Sequence, residues 1–351
     1  MSFFFDCRYI RVDHHDGISR FSSGLFAEIS KRMDVTAIIS DDRQLLKLPA
    51  GIKHVKLNAP TSPLEPLIAL RLNRLGATKV FSPMQTMGSF GKKYKLILTL
   101  HDLIYYRHPA PPPSFNFAIR LLWRLYHLTY SPQRWLLNRA DQVVTVSKTT
   151  QQLIHLNRLT RRPVSVIYNA ADSAENHVRN FPENRKLIYM GSFMDYKNVE
   201  MLIEGMQQLP DCELRLLSRI DSHRRQQLEK IASNNGGKVT FVNGVTDSEY
   251  NKELVEGFAL VHASRDEGFG IPLVEAMVRG VPVVVSDIPI FREIGEPAAM
   301  FFETVSEFVS AIRQLENENL WIQKSIESQK RAMDFSWQKS AIELMALLER
   351  L

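Results

Sequence analysis

Ala259-Leu-Val-His-Ala-Ser-Arg-Asp-Glu-Gly-Phe-Gly-Ile-Pro-Leu-Val-Glu-Ala-Met-Val-Arg-Gly-Val-Pro-Val-Val-Val-Ser286 is the stretch that decides the fold. The apolar run Ala259–Ala263 reads as a strand, the glycines that follow turn the chain, and Pro272 stands where a first helical turn accepts it, opening a helix to Arg279. Val281–Ser286 is a second strand. A strand, a crossover helix and another strand make a parallel pair covered by a helix.

The same alternation continues outward. Strand-like Lys186–Gly191 precedes a helix over Val199–Leu209, Leu214–Leu217 precedes Arg224–Ser233, and Val239–Val242 precedes Ser248–Gly257. Nearer the N-terminus, strands are expected at Phe3–Ile10, Val35–Ile39, Lys79–Phe81, Lys95–Leu100, Val143–Val146 and Val164–Tyr168, with helical patterns at Arg20–Arg32, Leu64–Leu75 and Phe117–Arg139. A chain of 351 residues exceeds the roughly 250–300 at which one core stops growing. The expectation is an α/β protein of two Rossmann-like doubly wound domains, residues 1–168 and 185–336. An aperiodic linker, 169–184, joins them, and a final helix, 337–351, is expected to cross back to the first domain.

Composition narrows the partners. Hydrophobic content is an ordinary 44%, no run reaches the ~18 apolar residues of a membrane span, and the start has no signal-peptide layout, so a cytoplasmic protein is expected. Cys7 and Cys212 suit neither a disulfide framework nor a metal site and read as buried thiols. Residues 1–168 hold 24 Lys and Arg against 10 Asp and Glu, a charge of +14, whereas 169–351 carry −8. Such a first half attracts anionic lipid, polyanionic glycan or nucleic acid.

Chemistry concentrates at Glu267–Glu275. Backbone N–H groups of Phe269, Gly270 and Ile271, at the start of a helix, form an anion site that suits a pyrophosphate. Glu275, one turn into the helix, is placed to accept hydrogen bonds from ribose hydroxyls, and Glu267 faces whatever extends beyond the phosphate.

Glu267 and Glu275, with seven residues between them, resemble the E-x7-E motif of retaining GT-B glycosyltransferases of family four. Gly191-Ser-Phe-Met-Asp-Tyr-Lys-Asn198 resembles the family's G-R-x(4)-K-N turn, Val166–Asp172 its V-I-x-N-G-V-D, and Val281–Asp287 its P-V-V-x-S-D strand. Asp16-Gly-Ile-Ser-Arg20 is similar to its G-G-I-G-R loop, and His101-Asp-Leu-Ile104 to its H-D-L-I. The resemblance implies a GT-B fold with a central cleft, a nucleotide-sugar donor as substrate, and no metal or cofactor. Lys197 would stabilise charge growing on the leaving diphosphate, the efficient place to spend interaction energy. Gly17 would let the backbone approach that diphosphate. His101 would contact the donor sugar, its carbonyl facing the developing oxocarbenium ion, and Glu267 would bind sugar hydroxyls. The family's reaction is written on the front face, with the donor phosphate as base.

Three positions depart from the pattern. Ser192 replaces a phosphate-binding arginine, for which Arg219 or Arg265 is the candidate substitute, and Asp16 and Ser19 replace glycines. Ser218, Arg219 and Val245 are candidates for the nucleotide base.

Phe115–Arg139 carries Arg120, Arg124, Arg134 and Arg139, no acid, and aromatics including Trp123 and Trp135, which suits an interfacial helix. Lys92 and Lys93 add a basic cluster, so an anionic membrane surface or acceptor is expected there. The leading reading is a hexosyltransferase at the inner face of a membrane, acting on a glycan or lipid-linked acceptor in cell-envelope synthesis. His101–Ile104 with Arg107-His-Pro109 looks most like mannosyltransferases, so GDP-mannose leads over a UDP-hexose. A non-catalytic polyanion binder lacks a nucleic-acid motif and leaves Glu267–Glu275 unexplained. Epimerisation and phosphorolysis are the other GT-B chemistries, and phosphorolysis would want a cofactor lysine site that is not apparent.

Overall fold

Central strands buried on both faces need nearly continuous apolar runs, and the sequences of both halves supply them. The computed structural model describes residues 2–12, 16–110, 117–172 and 179–351. Phe115 and residues 173–178 of the expected linker lie outside the described residues.

The chain forms two units, Met1–Ala170 with Ser336–Leu351, and Ala171–Phe335. In the first unit the described strands are β1 (Phe3–Asp6), β2 (Val35–Ile39), β3 (His54–Lys56), β4 (Lys79–Ser82), β5 (Lys95–Leu100), β6 (Gln142–Thr145) and β7 (Val164–Val166). They pair in parallel in the order β3-β2-β1-β4-β5-β6-β7. In the second unit, β8 (Lys186–Tyr189), β9 (Glu213–Leu216), β10 (Lys238–Phe241), β11 (Ala259–His262), β12 (Val283–Ser286) and β13 (Met300–Phe302) form a parallel sheet ordered β10-β9-β8-β11-β12-β13. Each order reverses once, between β1 and β4 and between β8 and β11. At such a reversal the flanking loops diverge and leave a crevice beyond the strands' C-terminal ends.

The last helix, Trp337–Glu349, belongs to the first unit, where it packs on the helix Gly17–Ser30. Gly24 makes this approach possible, since a Cβ there would collide with the Trp337 indole. Ser340 Oγ donates to the Tyr168 carbonyl at 2.7 Å, and Trp337 packs edge-on to Phe21. At the end of β1, the Arg8 guanidinium is buried between Asp6 and Glu65, donating to Asp6 at 2.8 and 2.9 Å and to Glu65 at 2.6 and 2.9 Å. Cys7 and Cys212 are buried free thiols.

Several elements differ from expectation. The helical pattern Phe117–Arg139 is two helices, Phe117–His127 and Ser131–Leu137, because Pro132 favours a new first turn. Leu64–Leu75 divides into a 3-10 turn, Glu65–Leu67, and the helix Ile68–Arg74. The edge strands β3 and β13 and the helices Val305–Leu315 and Glu318–Ala332 were not anticipated. β3 is largely exposed and lacks the apolar run of a central strand.

Candidate functional site

The loops leaving β8 and β11 stand at the reversal of the second sheet. The Arg265 N–H donates to the Tyr196 carbonyl at 2.7 Å, and the Arg265 guanidinium donates to Asn198 Oδ1 at 2.9 Å. Between these two ties, Lys197 Nζ pairs with Glu267 Oε1, with only 10% and 12% of the side chains exposed. Ser264 Oγ also donates to Glu267, at 3.3 Å. Lys197 and Glu267, two of the candidates that the sequence singled out, thus meet in one protected contact.

Just beyond Glu267 begins the helix Ile271–Val278. Gly270 caps it in the left-handed region, φ 95°, with no side-chain cap. The Leu273 N–H closes on the Gly270 carbonyl, and the N–H groups of Gly270 and Ile271 make no hydrogen bond among the described residues. These donors at the positive end of a helix dipole suit an anion. Phe269 is buried with its ring edge-on to Phe335 at 5.6 Å, which anchors the loop from behind. Glu275 is buried on the same helix, one turn further.

The neighbouring strand ends complete this edge. The Gly191 N–H donates to Ser218 Oγ at 3.0 Å, and Ser192 is exposed, its carbonyl accepting from Tyr189 at 2.6 Å. The stem of Arg219 lies over Gly244, next to Val245, so the base candidates from β9 and β10 adjoin. Arg219 and Arg265 form no ion pair among the described residues and stand at strand ends on either side of β8, the strand that leads to Ser192.

His262 was missed from the sequence because a lone histidine ending an apolar strand looks like core. It lies 4.8 Å ring to ring from Tyr189, fully enclosed, with no well-aligned hydrogen-bond partner for either ring nitrogen. Burial pushes its pKa down to about 4, against the opposing pull of Glu267, so the ring is neutral at pH 7.

In the first unit, His101 follows β5 at the C-terminal edge. Its Nε2 lies 2.8 Å from the Pro83 carbonyl, its ring stands edge-on to Phe21, and burial lowers its pKa. Its carbonyl accepts from Thr150 Oγ1 at 3.3 Å. Gly17 is the first residue of its helix, whose N-terminus is already capped by a carboxylate: Asp16 accepts from the Ser19 N–H at 2.8 Å and pairs with Arg11. Lys92 departs from the expected surface cluster, because its ammonium is committed to Asp141 at 2.6 Å; Lys93 remains exposed. Arg120 and Arg124 are exposed on the helix Phe117–His127, along with Phe117 (83%) and Leu122 (66%), so its apolar face is not core. Trp123, inside that helix, packs edge-on to Tyr105 at 4.7 Å.

Two parallel sheets with a dinucleotide-type reversal, one bearing a loop-capped anion helix, define a GT-B glycosyltransferase fold, and solved structures agree. Sucrose-phosphate synthase from Thermosynechococcus elongatus superposes with a TM-score of 0.75 at 17% identity, covering 99% of this chain and 98% of that one. HepE of Anabaena, in complex with UDP and glucose, gives 0.71 at 17% identity with both chains fully covered. The family models for "Glycosyltransferase Family 4" and "Glycosyl transferases group 1" match residues 78–175 and 172–333, so the chain is similar to group 1 glycosyltransferases in both of its units. It is similar to the O-antigen chain mannosyltransferase RfbU of Salmonella typhimurium, 30% identical over 226 residues. That match takes in 62% of this chain and 60% of the relative, so the chain spans about three fifths of that protein's length.

Proposed function

We propose that this chain transfers a hexose, mannose foremost, from a nucleotide diphosphate sugar to a glycan or lipid-linked acceptor in cell-envelope synthesis. The observation that carries the reading is the joining of Lys197, Glu267 and the open N-terminus of Ile271–Val278 at one strand reversal. The Gly270 and Ile271 N–H groups receive the donor diphosphate, Glu275 the ribose, and Ser218, Arg219 and Val245 the base. Arg219 or Arg265 supplies the cation absent at Ser192. When the bond from the sugar to the phosphate breaks, Lys197 stabilises the charge that grows on the leaving diphosphate. The acceptor hydroxyl attacks from the same face and gives its proton to that phosphate, which retains the anomeric configuration. Neither a metal nor a further cofactor is required.

Mannose leads because the relative RfbU is a mannosyltransferase by name. A UDP-hexose is the second reading, favoured by the HepE structure with UDP and glucose. A panel of GDP-, UDP- and ADP-sugars without added metal tests both. Turnover of GDP-mannose is expected, and neither turnover nor binding of any nucleotide would overturn the proposal.

The exposed apolar face of Phe117–His127, flanked by Arg120 and Arg124, supports placement on the inner surface of an anionic membrane. Among the described residues no helix is long and apolar enough to cross one. Flotation is expected to recover more chain with anionic than with neutral vesicles; equal recovery removes the electrostatic contribution.

A further inference from the structure

On the first sheet's N-terminal edge, the end opposite His101, lies an open concavity of about 920 Å3 lined by Arg134, Arg158, Arg161 and Arg162, with Asn138 and His155. It forms where the helix Ser131–Leu137, the end of the helix Lys148–Leu156 and the turn before β7 come together. Among the described residues, no carboxylate lines it. Asp141, on the same edge at the start of β6, is already held by Lys92 at 2.6 Å and Lys95 at 3.8 Å.

Two of the guanidiniums are fixed in place without being neutralised. Arg134 donates to the carbonyls of Arg158 and Asn157 at 3.2 and 2.9 Å, and Arg162 to that of Asn138 at 3.1 Å. Asn138 Oδ1 accepts from the Arg161 N–H at 2.9 Å, which holds that turn. A guanidinium has five N–H donors, so these bonds leave others pointing to solvent. Arg158 sits at φ 49°, in the left-handed region where the end of a helix ordinarily has Gly or Asn. An arginine kept at such a position, among three others, raises both backbone strain and charge repulsion.

We propose that this concavity is a binding site for a phosphate group. Guanidinium forks match phosphate oxygens in pairs, and a phosphate carries more charge and more acceptors than a carboxylate, which suits four converging arginines. The donor nucleotide is excluded, because open α/β sheets receive such ligands at the opposite, C-terminal edge. The phosphate belongs either to a lipid headgroup or to a free phosphorylated solute.

The full chain, titrated with inorganic pyrophosphate by calorimetry, is compared with the double variant Arg158→Gly/Arg161→Gln and with Lys197→Ala. Glycine accepts φ 49°, so the double variant keeps its fold, checked by a thermal midpoint no lower than wild type. Pyrophosphate also fits the proposed donor site at Gly270, so the double variant should weaken one of two binding events at least about tenfold, while Lys197→Ala weakens only the other. With vesicles containing phosphatidic acid, displacement of the chain by pyrophosphate identifies a headgroup, and no displacement, with the event that the double variant weakens still present, identifies a free solute; both support the site. Binding undiminished at both events in the double variant, a single event that is lost only in Lys197→Ala, or no binding by wild type overturns it.

Discussion

Lys197 and Glu267 are 70 residues apart in the chain and form one ion pair, nearly sequestered from water, between loops that leave adjacent parallel strands. Under the proposed function, a diphosphate at the neighbouring helix end would bring Lys197 a second anionic partner. The pair holds the lysine in place, and in the proposed reaction it would free it for charge that appears later.

Removing one member should cost more than removing both. Lys197→Met leaves a sequestered carboxylate alone and should destabilise by about 3 kcal/mol, whereas adding Glu267→Gln should recover part of that loss. Urea unfolding of the singles and the double measures it, and additive losses would show that the pair does not couple.

Kinetics should separate Lys197 from Glu275. Lys197→Ala should lower kcat about 100-fold with little change in KM, because its charge is most needed as the diphosphate leaves. Glu275→Ala should instead raise KM for the donor about 10-fold, the loss of a ribose contact. Steady-state rates with GDP-mannose decide, and unchanged constants in both variants would displace the donor from this edge.

Gly270→Ala should be costly without touching a reacting group. The residue lies at φ 95°, and a Cβ would come 3.1 Å from Phe291 Cε1. Strain of about 1–2 kcal/mol should lower the thermal midpoint by roughly 2–8 °C and weaken nucleotide binding in parallel. An unshifted midpoint in calorimetry contradicts this geometry.

His262 should make the second unit acid-sensitive. Its pKa is held down to about 4 in the folded chain, against roughly 6.5 unfolded, so the unfolded state takes up the proton first as pH falls. The contribution is complete above pH 6.5 and is lost on descent toward pH 4, amounting to about 2 kcal/mol between pH 7.5 and pH 5. Chemical denaturation at those two pH values, in wild type and His262→Asn, should show the difference only in wild type.

The buried guanidinium of Arg8 should be intolerant of truncation. Arg8→Met strands the carboxylates of Asp6 and Glu65 and should destabilise by about 3–5 kcal/mol, read by urea unfolding. A loss below 1 kcal/mol would mean that water reaches both acids.

Local patterns made much of this legible. The strand–glycine–helix run around Gly270 predicts both the parallel sheet and the glycine-capped helix start, because backbone constraints at glycine and proline act within a few residues. Glu275 could be placed for the same reason, its position following from helical periodicity. Lys92 could not, since a cluster of lysines carries no sign of the aspartate 49 residues away that neutralises one of them. The helix Phe117–His127 shows the same limit, because periodicity reveals an apolar face but not whether anything covers it.

By itself the sequence determined the two doubly wound halves, the loop at Glu267–Glu275 and its family, since turn chemistry and strand patterning are short-range. Only the tertiary structure decided that Lys197 meets Glu267, that His262 is sealed beside Tyr189, and that four arginines converge on a concavity lined by no described carboxylate. Those facts depend on which strands become neighbours, and strand order is fixed by the burial of whole helices and sheets rather than by any one segment.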